Sequence, residues 1–200
     1  MPMSMNPFTC VENKTFADIK IGDSAQLTRT LTKQDIQLFA VATGDMNPAH
    51  VDEDYARSDV FHQIVAHGMW TGSMFSTLLG MQLPGPGTIY LKQNLTFLKP
   101  VRIGDTVTAS ITVTAKDEKH ERITFLTRCV NDFGETVLEG KALVRAPESK
   151  ICWDVKALPE VSIKPQSHDY VQWLKKKIDG LKPLKVAVVH PADAVSIALS

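Results

Sequence analysis

Between Thr88 and Val144 the chain carries four strand-like runs, Thr88–Phe97, Thr106–Thr114, Ile123–Asn131 and Thr136–Val144. The second and third, "TVTASITVT" and "ITFLTRCV", alternate with period two, which places Val107, Ala109, Ile111 and Val113 on one face of a strand. "NDFGET" is a turn that joins the last two runs into a hairpin. Upstream, "SAQLTRTLT" alternates weakly and reads as a further strand. It leads into "KQDIQLFAVATG", where Ile36, Phe39, Ala40 and Thr43 recur at helical spacing and Thr32 with Asp35 forms a capping box. From Gly44 to His67 no period holds, and Asn47-Pro48 biases the chain away from helix. The segment "GMWTGSMFSTLLGMQL" is apolar almost all round its helical cylinder and so predicts a buried helix, stopped by Gly80 and "LPGPG". One buried helix followed by an antiparallel meander predicts an α+β fold in which a sheet wraps around that helix.

Composition narrows the function. The chain has 200 residues, 44% of them hydrophobic and 22% charged, enough apolar material for a full core. Lys+Arg and Asp+Glu balance at 22 each, so no electrostatic footprint points to nucleic acid or to an acidic membrane. No apolar run approaches the ~18–20 residues that span a bilayer. The opening "MPMSMNPFTCVENK" lacks the basic and apolar regions of a signal peptide. Cys10, Cys129 and Cys152 are odd in number and far apart, which argues against a disulfide framework and for a reducing cytoplasm.

Three of the six histidines, His50, His62 and His67, fall in "GDMNPAHVDEDYARSDVFHQIVAHGMW" together with Asp45 and Asp52. A turn at Asn47-Pro48 folds His50 back toward Asp45, although "GD" and "NP" are also what an ordinary turn uses. What shifts the reading is "AHGM" at the start of the buried helix. The first amides of a helix have no internal partner and carry the positive end of its dipole, and Gly68 lets a ligand approach them. An acid, an imidazole and an open helix amide make a general base with an oxyanion hole, without a nucleophilic Ser or Cys. His62 and Asp52 with His50 fit no metal-binding spacing, so no metal is expected, and His67 reads as orienting the loop rather than reacting.

The elements "GDMNPAHVDEDYA", "IVAHGM", "MFSTLLG" and "IYLKQNLTFLKPVRIGDTV" strongly resemble the MaoC-like (R)-specific enoyl-CoA hydratases, which have the hot-dog fold, over about Phe16 to Val144. The resemblance implies reversible hydration of a trans-2-enoyl-CoA to the (R)-3-hydroxyacyl-CoA. It implies catalytic roles for Asp45 and His50, an oxyanion contact from the Gly68 amide and a supporting role for Ser76. It implies an acyl pocket near Met69, Trp70 and Leu79, no cofactor beyond the coenzyme A of the substrate, and a homodimer or higher homo-oligomer. Where the family carries an aliphatic residue after His-Gly-Met, this chain has Trp70, an indole that would shorten the pocket. Three rivals share the fold: a thioesterase, a 3-hydroxyacyl-carrier-protein dehydratase and a non-catalytic acyl-CoA-binding module. Retention of both Asp45 and His50 favours catalysis.

The expected domains are residues 1–147 for the hydratase, 148–183 for a linker with a short amphipathic helix, and 184–200 for the truncated start of a second enzyme. In the last of these, "LKVAVVHPADAVSIALS" reads as the first βα unit of a parallel α/β domain and resembles the opening of phosphate acetyl- and butyryltransferases.

Overall fold

A computed structural model of the chain describes residues 10–154 and Val161. Its elements in chain order are β1 (Cys10–Glu12), β2 (Ser24–Thr30), α1 (Lys33–Thr43), α2 (Pro48–Val51), α3 (Glu53–Ser58), α4 (Gly68–Met81), β3 (Ile89–Phe97), β4 (Thr106–Asp117), β5 (Arg122–Asn131), β6 (Thr136–Arg145) and β7 (Cys152–Asp154). Five strands form one antiparallel sheet in the order β2-β4-β5-β6-β3, and β1 pairs with β7 in a separate two-stranded ribbon. The period-two reading of β4 holds in detail: Val107, Ala109, Ile111 and Val113 are all buried on one face. Opposite them, β5 turns in Ile123, Phe125 and Cys129, and β6 turns in Leu138, Ala142 and Val144.

That face packs against α4. Trp70, Met74, Phe75, Leu78 and Leu79 recur at helical spacing and are all buried in the same core. Each such side chain contributes about 1.5–3 kcal/mol by leaving water. The expectation that α4 is enclosed all round is corrected, because Met69, Ser73, Ser76 and Thr77 form an exposed stripe on its other side. The apolar residues do outnumber the polar ones around the cylinder, but the single sheet covers only one side of it.

Thr32 and Asp35 form the capping box expected at the start of α1. The Thr32 hydroxyl accepts from the Asp35 amide at 3.1 Å, and the Asp35 carboxylate accepts from the Thr32 amide at 3.0 Å. The stretch read as irregular after Gly44 contains α2 and α3, helices too short for periodicity to reveal. Among the described residues no helix is long and apolar enough to cross a membrane.

Two expectations about the ends of this domain are corrected. The packed chain continues past Pro147: the Asn13 side-chain amide donates to Ser149 O at 2.9 Å, the Ile151 amide donates to Asn13 Oδ1 at 3.0 Å, and Lys150 meets Asp18 at 2.7 Å. Two of the three cysteines are paired, Cys10 with Cys152, their Cα atoms 5.5 Å apart, inside the usual span of roughly 4.4–6.8 Å for a disulfide. The β1–β7 ribbon brings together residues whose separation along the chain made them look independent. The amphipathic helix expected within the 148–183 linker and the acyltransferase-like start expected at 184–200 lie outside the described residues.

Cys129 is buried, and burial pushes its thiol up to about 12. In the native, unreduced chain no thiol should therefore react with an aromatic disulfide reagent at mildly alkaline pH. Mild reduction should expose Cys10 and Cys152, and Cys129 should react only after denaturation. Rapid reaction of Cys10 in the unreduced native chain would show that the ribbon is not cross-linked.

Candidate active site

The loop that carries Asp45 and His50 is built by local turn chemistry. Gly44 caps α1 in the left-handed conformation, φ 76°, where a side chain would be strained. The chain turns there, and the next residue, Asp45, has its backbone amide directed to the Thr43 hydroxyl at 3.2 Å. One Asp45 carboxylate oxygen accepts from the Asn47 amide at 3.1 Å, a short turn closed by the side chain. Asn47 then caps α2 by accepting from the Ala49 amide at 3.1 Å, and Pro48 takes the first helical position. A single turn of helix carries His50 round to face Asp45.

His50 is half-buried, and its Nδ1 lies 2.9 Å from the carbonyl oxygen of Val65. A carbonyl only accepts, so Nδ1 carries a proton, and in the neutral ring the lone pair that a general base requires is then on Nε2. Val65 is itself fixed: its amide reaches Ala49 O at 3.4 Å, and the next amide, that of Ala66, donates to Val101 O at 2.8 Å. The histidine's orientation is thereby tied to the segment that enters α4.

At that entry His67 is the N-cap residue of α4, yet its side chain makes no capping bond. The first amides of α4 are left without a side-chain acceptor, with the positive end of the helix dipole behind them. Gly68, the first residue of the helix, lines a cavity of about 350 Å³ together with His50, Val65, Thr71, Phe97 and Lys99. The Phe97 ring lies against Gly68 so closely that a Cβ added there would sit 2.9 Å from Phe97 Cε1. At the rim, Lys99 is paired with Glu135, and its ammonium, together with the Asn131 side-chain amide, holds the Glu135 carboxyl below the usual carboxylate range.

Asp45, His50 and Gly68 are thus brought into one region, and the other expected residues are not. Ser76 lies on the exposed stripe of α4, about 12 Å along the helix axis from Gly68. Trp70 and Leu79 are buried in the core, Trp70 with the Arg29 guanidinium 5.8 Å from its ring centroid, and Met69 is exposed. None of these three lines the cavity beside His50. His62 is exposed and Asp52 caps α3, and among the described residues neither falls in a metal-binding cluster with His50. Asp45, His50 and His67 do each offer a donor atom within 4.8 Å of the others, a cluster that could hold a metal ion. Phe97 and Thr71, which also line the cavity, were not singled out from the sequence. The signal for the first was an exposed aromatic closing a strand at "NLTFLKP".

Residues 17–132 match the family described as MaoC like domain. The chain belongs to the MaoC-like family. It is 51% identical over 132 residues to an (R)-specific enoyl-CoA hydratase of Rhodospirillum rubrum, a span that covers 66% of this chain and 91% of that protein. The structure of the R-hydratase PhaJ1 from Pseudomonas aeruginosa in the unliganded form superposes with a TM-score of 0.75 at 38% identity, covering 78% of this chain and all of that one. The (R)-hydratase of Aeromonas caviae involved in PHA biosynthesis aligns at a TM-score of 0.63 and 40% identity, over 64% of this chain and 98% of that one. The architecture of this MaoC-like chain, one helix laid on an antiparallel sheet, is the hot-dog fold.

Replacing Gly68 by Ala tests the open helix start directly. The new methyl must displace the Phe97 ring or intrude on the space in front of the first amides. Because Phe97 is a surface side chain able to swing aside, the melting temperature should change little, while turnover falls by up to about 10²–10³ if the methyl bars a substrate oxygen from the amide that the variant still carries. Full activity in Gly68→Ala would show that the reaction does not need the space the added methyl fills.

Proposed function

We propose that the chain catalyses the reversible addition of water to a trans-2-enoyl-CoA, giving the (R)-3-hydroxyacyl-CoA. The observation that carries this reading is the shared cavity: His50, with a proton held on Nδ1 by Val65 O, and the uncapped start of α4 line the same space. The (R)-specific enoyl-CoA hydratases that the chain resembles supply the reaction class.

Water is a weak nucleophile and needs its proton taken as it attacks C3. Asp45 and His50 act on that one water, a contribution worth about 10²–10⁴ in rate. As the C3–O bond forms, the C2=C3 π electrons move toward the thioester and negative charge grows on its oxygen. The Gly68 amide meets that charge, adding about 10²–10³. The proton removed from water is returned to C2, so the sum is water across the double bond and no cofactor beyond the coenzyme A of the substrate is consumed. Asp45→Asn and His50→Ala should each lower turnover on crotonyl-CoA by about 10²–10⁴ with the fold retained, and the double variant should lose little more, because the two act as a unit. The assay follows the loss of enoyl-thioester absorbance and the chirality of the product. Near wild-type turnover in either variant would sink the assignment, and release of free CoA without hydration would point to a thioesterase.

The working form is proposed to be a two-fold homodimer. β3 is an edge strand whose apolar side chains, Ile89, Leu91 and Phe97, are 44–52% exposed, with Leu98 beside them at 49%. A long apolar edge is an invitation to pair with a second copy. The exposed stripe of α4 that holds Ser76 lies on the side the sheet leaves uncovered, so Ser76 supports a site completed across the interface. Light scattering at micromolar concentration should give the mass of a dimer or a multiple of it, and a stable, active monomer would overturn this.

Residues 184–200, outside the described structure, are proposed to open a phosphate acetyl- or butyryltransferase-like domain, which would join the hydratase to a second acyl-CoA enzyme.

A further inference from the structure

His67 is 2% exposed and stands at the junction of the two halves of the site, unused by the hydration chemistry. Its peptide leads directly into Gly68. Its Nε2 lies 3.0 Å from the backbone carbonyl oxygen of Asp45, and since that oxygen only accepts, Nε2 carries the proton and Nδ1 is bare. Nδ1 is sealed from solvent and has no hydrogen-bond partner. Its ring lies against that of His50, centroids 4.0 Å apart and planes tilted by 36°, and the Phe39 ring of α1 packs on it at 5.0 Å.

We propose that His67 is a positioning residue, which locks the Asp45 turn and the His50 ring in register with the Gly68 amide and takes no part in proton transfer. This rests on the reading of Asp45 and His50 as the pair that handles the water. A role as base is closed to it on both nitrogens, one being committed to Asp45 O and the other shut away from any water or substrate. A buried unpartnered nitrogen is an unfavourable feature. Here it follows from the ring's place: turning Nδ1 toward a partner would break the bond to Asp45 or the stack on His50. The same rotamer explains the missing helix cap, because a side chain that reaches back to Asp45 cannot also cover the first amides of α4.

Positioning of this kind has a measurable signature, since misplacement of reacting groups by about 1 Å costs on the order of 10²-fold in rate. His67→Leu fills the volume without a donor, whereas His67→Gln keeps an N–H near the place of Nε2. Assayed in the full chain on crotonyl-CoA, His67→Leu should lower kcat by about 10²-fold with KM changed less than about 3-fold, and His67→Gln should recover about 10-fold of that loss. In the His50→Ala background, His67→Leu should add almost nothing. Wild-type kcat in His67→Leu, or equal activity in the Leu and Gln variants, overturns the proposal. Should both variants fail to fold, the wild-type chain decides: nitrogen NMR of the imidazoles should find His67 as the Nε2–H tautomer in one fixed orientation, and an Nδ1–H tautomer or an averaging ring overturns it. If instead the tautomer is as stated while Asp45→Asn and His50→Ala remain active, the contact stands and the assignment of the acid–base pair falls.

Discussion

The burial of one face of α4 against the sheet is the constraint on which the rest depends. Trp70, Met74, Phe75, Leu78 and Leu79 have to meet the inner faces of β4, β5 and β6, and this fixes both the axis of the helix and its rotation about that axis. Once those are set, the place of the first amides is set as well. They emerge beside the cavity rather than into solvent, carrying the positive end of the dipole. Helix starts are usually covered by a Ser, Thr, Asp or Asn, a contribution of about 1 kcal/mol. Here the capping position holds a histidine turned elsewhere, and the amides remain available to a substrate oxygen.

The loop that carries Asp45 and His50 is positioned in a different way, by many short bonds instead of a packed face. Gly44, the Asp45 side-chain turn, the Asn47 cap and Pro48 each remove freedom from the backbone, so that Asp45 and His50 are set by the sequence between them. Such a loop is locally rigid and still free to move as a body. The bonds that stop this motion are tertiary: His50 to Val65 O, Ala66 to Val101 O, and His67 to Asp45 O. All three involve the segment Val65–His67, which therefore links the loop to the sheet and to the helix start at once.

This division explains what could be read from the sequence. The strands of the main sheet, the capping box at Thr32 and the existence of α4 follow from period and local chemistry, and those signals survive folding unchanged. That Asp45, His50 and Gly68 come together was legible because their motif is local too. The exposed stripe of α4 was not, since composition around a helix does not say how many sheets will cover it. α2 and α3 span four and six residues, too few for a period to form. The pairing of β1 with β7, and of Cys10 with Cys152, joins residues 142 apart in the chain, and nothing local announces it. The burial of Trp70 has a related reason: one residue past Met69 is 100° of rotation on a helix, which turns the indole into the core.

The size of the cavity bears on where the substrate lies. At about 350 Å³ it is near the lower end of ligand pockets, space for the thioester and the reacting carbons but not for a whole acyl-CoA. The remainder must run over surface that this chain leaves open, and the apolar part of that surface is the edge of β3 with Phe97 and Leu98. A second copy paired along that edge would turn an exposed rim into a wall, while the charged rim at Lys99 and Glu135 stays toward solvent. On this arrangement the acyl chain and the reacting carbons are held by different means. The reacting carbons answer to the Val65–His67 segment, whose bonds lie within one chain. In the proposed dimer the acyl chain would answer to the interface, so that residues such as Ser76 and Met69, exposed in the single subunit, would govern which substrates fit without disturbing the Asp45 and His50 loop.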